Sequence, residues 1–329
     1  SEMCIRDSNY LIIKYMVNIW IVGAGSIAQE YAKIIDTLGY EFLIIGRGKE
    51  KVAEIKGKTH YNVVSGGVDS YIANNPKIPE YAIVATNISS LSSSCISLMK
   101  YGVKNILCEK PGFLYPEECE IVAKVAKENN CKVFIAYNRR FFASVNKAME
   151  IIRKDGGVKS FNFEFTEWGH VIEKLNKPKE DLDNWLYANS SHVIDLAFFL
   201  GGTPVDINCI TSGEISWHKP AIFAGSGISN KGAIFSYSSN WGAPGRWGVE
   251  VLTSTHRLYL RPMEKLQIQQ LGSVAVSPVD IDYSLDEKFK PGFFLETKAF
   301  LGGNYDHLCS IEEQKNHVIK IYNRIVGKQ

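Results

Sequence analysis

One feature of this chain has the residue types and spacing to do chemistry in its own right: a glycine-rich turn near the start. The turn reads Gly23-Ala24-Gly25-Ser26-Ile27-Ala28. Gly23 permits a tight turn, Gly25 lets the backbone approach a pyrophosphate, and Ala28 keeps the following helix close to its strand. Ser26 and Ile27 open that helix, whose N-terminus faces the phosphates. A glycine turn alone binds nothing. Here a β-rich run, Val17 to Val22, precedes it and a helical pattern follows, which is the context dinucleotide binding requires.

The second strand of such a unit normally ends in an acid that bonds the ribose of NAD. Gly46-Arg47-Gly48-Lys49 stands there instead, with Arg47 19 residues past Ala28. A carboxylate would repel a 2′-phosphate, whereas a guanidinium grips it in a fork. Lys49 and Lys51 add positive potential. The charge pattern favours NADP, with NAD as the alternative; a solvated basic turn is the bland reading.

The elements that must position these groups alternate. Ser26 to Leu38 is helical, with Ile27, Tyr31, Ile34, Ile35 and Leu38 on one face. Strands are predicted at Phe42 to Ile45, Tyr61 to Val64, Tyr81 to Ala85, Val103 to Cys108 and Lys132 to Ala136, with helices at Ser90 to Tyr101 and Glu117 to Asn129. Short strands alternating with helices predict a doubly wound parallel sheet. The polar turn Thr86-Asn87 and the turn Glu109-Lys110-Pro111 both follow strands, at the edge where the cofactor should lie.

After Tyr137 the pattern changes. Phe161, Phe163 and Phe165 alternate with Asn162, Glu164 and Thr166, the mark of a strand with one wet face. Similar runs at Val205 to Ile210, Ala233 to Asn240, Gly248 to Thr253, Arg257 to Leu260 and Leu266 to Gln270 predict an α+β domain with a large, open, mostly antiparallel sheet. Asp306 to Ile325 reads as a terminal helix. The expected division is a Rossmann domain at 16–137 and a substrate and oligomerisation domain at 138–329. Residues 1–15 read as a non-native leader, with Met16 as the start.

Asn138-Arg139-Arg140-Phe141 follows the sixth strand, and Ser191-His192-Val193-Ile194-Asp195-Leu196 opens a later helix. With the glycine turn and Glu109-Lys110-Pro111, these motifs resemble the glucose–fructose oxidoreductase, inositol dehydrogenase and rhizopine-catabolism (Gfo/Idh/MocA) family, over nearly the whole chain from Met16. The resemblance implies that Lys110 serves the reacting substrate oxygen beside the nicotinamide. It implies that Glu109 anchors the turn and borders the cofactor, and that Lys110-Pro111 is a cis bond. It also implies that His192 acts as acid/base or substrate ligand. Burial beside a cationic ring suits a lysine to that task by pulling its pKa toward neutrality. Asn189 shares a helix face with His192 and is assigned to the substrate; Asp195 reads as support for the helix. Close inositol dehydrogenases carry an aspartate four residues before this histidine, where Ala188 stands here. That departure argues against inositol and makes Lys110 the proton carrier.

Asn138 and Arg140 lie where the chain crosses between domains and are assigned to the substrate; an interdomain salt bridge is the competing reading for Arg140. Trp168 and Trp241 end strands and are read as rimming the cleft, Trp168 as a sugar-stacking face. The segment from Trp241 to Trp247 reads as a loop over the site.

Lys+Arg number 37 against 35 Asp+Glu, which argues against a nucleic-acid groove or a membrane surface. Seven scattered cysteines without a C-x-x-C read as free thiols of a cytoplasmic protein, not as a metal site. The combined expectation is an NADP(H)-dependent oxidoreductase acting on a secondary alcohol or ketone of a sugar, cyclitol or nucleotide-sugar-like substrate, as a homodimer or homotetramer. The alternatives are a reductase of an imine or dihydrodiol, or a non-catalytic NAD(P)-binding regulator.

Overall fold

The computed structural model describes residues 15–328. The expected leader, except Tyr15, lies outside the described residues, as does Cys4. The first half runs β1 (Tyr15–Val22), α1 (Ser26–Thr37), β2 (Tyr40–Ile45), α2 (Lys49–Lys58), β3 (Asn62–Val64), α3 (Gly67–Ile72), β4 (Tyr81–Val84), α4 (Leu91–Tyr101), β5 (Asn105–Glu109), α5 (Pro116–Glu128) and β6 (Lys132–Ala136). These strands pair in parallel in the order β6-β5-β4-β1-β2-β3. Successive residues of a strand point to opposite faces, so each strand feeds two cores. Ile19, Ile21, Leu107 and Phe134 pack on the side of α1. Trp20, Val22, Ile106, Cys108 and Val133 pack on the side of α4 and α5. This is why the strands read as continuous apolar runs.

The second half runs α6 (Ala143–Lys154), β7 (Ser160–Glu164), α7 (Gly169–Ile172), α8 (Lys179–Asp183), α9 (Ser191–Gly201), β8 (Pro204–Ser212), β9 (Ile222–Ser229), β10 (Ile234–Asn240), β11 (Gly248–Leu252), β12 (His256–Leu260), β13 (Gln267–Gln270) and β14 (Val276–Pro278). The sheet order is β14-β13-β12-β11-β7-β10-β9-β8, antiparallel except where β7 meets β10. One face is covered: Phe161, Phe163, Phe235 and Tyr237 pack against Phe198 of α9 and its neighbours. Strand β9 is an addition to the sequence reading. Gly225 and Gly227 interrupt its alternation because Tyr237, Phe235 and the β8 backbone fill the space a side chain would need.

The assignment of all of 138–329 to the second domain needs correction. After α10 (Ser284–Lys288), α11 (Phe293–Leu301) and β15 (Cys309–Ser310) return to the first sheet. β15 pairs antiparallel with β6. Phe293 packs on Tyr31 with ring centroids 5.0 Å apart, and Phe300 lies edge-on to Tyr81 at 5.3 Å. The terminal helix is shorter than expected. It starts at α12 (Ile311–His317), capped by the Ser310 hydroxyl accepting from the Glu313 N–H, and continues through a π-helical turn to α13 (Asn323–Ile325). Ile311 belongs to the first core, whereas Val318, Ile321 and Ile325 belong to the second. One helical rod therefore pins both domains together. No helix among the described residues is long and apolar enough to cross a membrane.

Candidate active site

The glycine turn sits between β1 and α1. Gly23 has φ +128°, and a Cβ there would lie 2.2 Å from the Ala85 carbonyl oxygen, so only glycine fits. Its N–H donates to the Ile45 carbonyl at 2.9 Å. Gly25 is the N-cap of α1, and a Cβ there meets no protein atom within 4 Å. Bare backbone opening a helix fits the pyrophosphate of a dinucleotide, with Ser26, Ile27 and Ala28 following it into the helix. Thr86 and Asn87 border the same turn through Ala85. Arg47 follows β2, is exposed, and donates to the Ser90 hydroxyl at 3.3 Å. Lys51 is paired with Glu54 at 2.7 Å, so it contributes less to this end of the site than its charge suggests.

Lys110 follows the last residue of β5, and the Lys110–Pro111 bond is cis. The Gly112 N–H donates to the Glu109 carbonyl at 3.0 Å, and Gln314 Nε2 donates to the Pro111 carbonyl at 2.8 Å. The turn is thus held from both sides. Lys110 Nζ reaches across to donate to the Ala188 carbonyl at 3.2 Å. Burial pulls the amine down to about 8; Arg139 and Lys290 push the same way, while Glu109 and Glu167 oppose them. Behind the lysine, the Tyr31 hydroxyl lies 2.7 Å from Glu109 and 3.4 Å from Glu296. Burial raises both carboxyls, Glu296 the more.

His192 lies in the first turn of α9 and is buried. Its ring is edge-on to Tyr137 at 6.0 Å and 6.3 Å from the Trp247 ring. Nδ1 has no hydrogen-bond partner among the described residues. Burial, then Arg139, Lys110 and Lys290, hold its pKa well below the usual imidazole value. It is therefore a neutral hydrogen-bonding group at pH 7. Asn189 Nδ2 and the Ser190 hydroxyl donate to Glu167 at 3.1 and 2.7 Å. Burial pushes Glu167 up to about 7 against those bonds. Glu167 is absent from the sequence reading, yet a signal existed. It continues the odd-numbered, inward parity of Phe161, Phe163 and Phe165, so a carboxylate was due on the covered face.

The arginine assignment also changes. Arg140 is buried, donating to Asp195 at 2.8 and 2.6 Å and to Glu313 at 2.8 Å. It ties α9 to α12 and does not face the cleft. Arg139, one residue earlier in the same 3-10 turn, points the other way, over the Trp247 ring at 5.0 Å. Asn138 is likewise structural, its Nδ2 donating to the Pro291 carbonyl at 2.9 Å. Trp241 is buried against Phe223 and Trp217. Trp168 is exposed; its indole N–H donates to the Gly245 carbonyl at 2.9 Å, and Arg246 stacks on it at 4.6 Å. A cavity of about 840 Å³ lies beside the Gly242–Gly245 loop, lined by Trp168, Trp217 and Trp241. Neither Lys110 nor His192 lines it.

Comparison with known proteins agrees with this geometry. The chain is 25% identical over 247 residues to an uncharacterized oxidoreductase of Streptococcus pneumoniae serotype 4, covering 71% of this chain and 64% of that protein. It is 26% identical over 194 residues to glucose-6-phosphate 3-dehydrogenase of Bacillus subtilis, covering 56% of this chain and 54% of that one. The matches thus span under two thirds of each curated relative. A levoglucosan dehydrogenase structure, in complex with NADH and levoglucosan, superposes with a TM-score of 0.77 at 18% identity, over 95% of this chain and 97% of the other, which shows the shared fold. Residues 17–137 match the model of the Gfo/Idh/MocA oxidoreductase family, described by its NAD-binding Rossmann fold.

Proposed function

We propose that this protein is an NADP(H)-dependent dehydrogenase of a sugar-like secondary alcohol, working reversibly with the ketone. The observation that carries the reading is Lys110: an amine brought by burial to about 8, just after β5, directed across to the Ala188 carbonyl in the turn that leads into α9 and His192. A bound nicotinamide supplies and accepts the hydride. Lys110 takes the hydroxyl proton during oxidation and returns it during reduction. Neutral His192 orients the substrate through hydrogen bonds, and Asn189 contributes by fixing Glu167 at the wall of the cleft. The relatives' names, a glucose-6-phosphate and a levoglucosan dehydrogenase, support the sugar class. A cytoplasmic site of action is part of the same reading, supported by six free cysteines among the described residues.

The test is a turnover screen with NADP and NAD against sugars, cyclitols, sugar acids and sugar phosphates, with the matching ketones and reduced cofactors. Cofactor binding without turnover across the panel would favour the regulator reading instead. The NADP preference rests on Arg47. Arg47→Asp is expected to weaken NADP by roughly tenfold or more, the loss of a charge-assisted contact, and to relieve discrimination against NAD. Equal NADP affinity in the variant, by fluorescence titration, would remove that assignment.

A homodimer or homotetramer is proposed from the uncovered sheet face. Ile210, Ile228 and Ile234 are 62%, 40% and 65% exposed on the outer side of β8–β10, with small Ala224, Ser226 and Ser236 on the same face. Ile234→Lys with Ile210→Lys is expected to lower the mass measured by sedimentation; a monomeric wild type would end the proposal.

A further inference from the structure

Arg139 is a half-buried cation, its Nε buried, that the fold leaves without an ion pair. No carboxylate oxygen among the described residues lies within ion-pair distance of it, and its Nε has no hydrogen-bond partner. Burial lowers the guanidinium to about 10. The neighbouring Arg140 shows what this chain does with an arginine it uses as scaffold: two carboxylates bind it. Arg139 instead rests on aromatic rings, 5.0 Å from Trp247 and 5.9 Å from Phe142. Arg246 lies 5.9 Å from the same Trp247 ring and 4.6 Å from Trp168, with no carboxylate partner for its side chain among the described residues. One indole therefore braces two guanidinium groups.

The other polar atoms around that indole are also unmatched. Trp247 Nε1 and His192 Nδ1 are buried without partners, and His192 stands 6.3 Å from the indole. Two carboxylates act on Arg139 from beyond ion-pair distance, Glu264 and then Glu167; Glu167, which also acts on Arg246, is already occupied by Ser190 and Asn189. Leaving buried donors such as Arg139 Nε and Trp247 Nε1 unpaired costs free energy, and a ligand that completes them recovers it. Neutral hydroxyls would satisfy the imidazole and the indole but not two guanidiniums. A planar or tetrahedral oxyanion would, because its oxygens match the guanidinium fork.

From this arrangement we infer that Arg139 and Arg246, braced on Trp247, form an anion subsite for the substrate, which is a sugar carrying a phosphate or carboxylate group. The inference rests on the sugar-oxidoreductase reading above and adds the charged group to it. The anion lies on the second-domain side of the cleft and holds the sugar so that a ring hydroxyl meets Lys110. Arg139 is then a specificity-determining residue, not a proton carrier.

The test compares matched ligands that differ in one group: a hexose, its 6-phosphate and its uronic acid. Steady-state kinetics and calorimetric binding to the cofactor-loaded protein are measured for wild type, Arg139→Gln, Arg139→Lys and Arg246→Gln. The expected result is a preference for one anionic ligand over the hexose. In Arg139→Gln, KM for that ligand rises roughly 10- to 100-fold, the effect of losing a charge-assisted hydrogen bond. The hexose KM and cofactor affinity stay within a few-fold. Arg139→Lys recovers part of the loss, and Arg246→Gln gives a smaller loss in the same direction. Preference for the phosphate identifies a phosphoryl group and preference for the acid a carboxylate; either supports the subsite. If no ligand turns over, anion binding that depends on Arg139 still supports the subsite while the dehydrogenase reading fails. Equal effects of Arg139→Gln on charged and neutral ligands overturn it. So does a loss confined to cofactor affinity, which would hand Arg139 to the dinucleotide.

Discussion

Lys110→Met is expected to lower turnover by roughly 10²- to 10⁴-fold, the range a positioned acid/base group contributes. Methionine keeps the length of the side chain without its proton. Cofactor affinity, followed by fluorescence titration, should fall far less, because the glycine turn and Arg47 remain. The pH dependence has a sign. With its pKa lowered to about 8, Lys110 is largely ammonium below that pH and neutral amine above it. Ketone reduction needs the proton and should slow as pH rises through about 8. Alcohol oxidation needs the neutral amine and should quicken over the same interval. Lys110→Arg keeps the charge but holds its proton throughout, so it should lose oxidation. Glu167 titrates near 7, and a limb that persists near pH 7 in Lys110→Met belongs to it. Profiles that rise or fall together in both directions, or turnover that survives Lys110→Met, would remove the lysine from the mechanism.

The second large effect is structural. Arg140→Met should destabilise the fold by about 3–5 kcal/mol, the consequence of stripping one partner from a buried ion pair. Burial opposes the charge of Arg140, and Asp195 more than restores it. Burial likewise opposes the charge of Asp195, and Arg140 holds its carboxyl below the usual range. Without the guanidinium, Asp195 keeps only His317 at 3.5 Å, and Glu313 keeps the same histidine at 3.7 Å. Because this pair joins α9 to α12, the loss should appear in the midpoint of denaturant unfolding and reach His192 only through the position of its helix. Arg139→Gln removes an arginine with no ion pair and should leave that midpoint almost unchanged. A raised KM with an unaltered midpoint in Arg140→Met would return Arg140 to the substrate.

Much of this protein follows from local sequence. The G-x-G-x-x-A turn was legible because a tight turn and close helix packing demand small residues at fixed local spacing. The parallel sheet was legible because strands buried on both faces must be apolar throughout, and the inward set of β7 because period-2 alternation is read directly. Lys110 and His192 were legible as motif members, each tied to the end of one element. Charge at the end of β2 was equally local, since Arg47 stands where an acid would otherwise be.

What the sequence left open depends on contacts between distant segments. Arg139 and Arg140 are adjacent and chemically identical. Only the meeting of α9 and α12 decides that Asp195 and Glu313 take the second and leave the first to the cleft. Glu167 gains its raised pKa from burial, against the hydrogen bonds of Ser190 and Asn189 more than 20 residues away. The return of α11 and β15 to the first sheet was hidden because an amphipathic helix shows that it has an apolar face, not which surface that face will cover. Sequence by itself determined most of the elements, the glycine turn and the place of Lys110 at the end of β5. Tertiary structure decided which charges are paired and which remain free, because pairing is a property of the space between segments that the chain brings together only on folding.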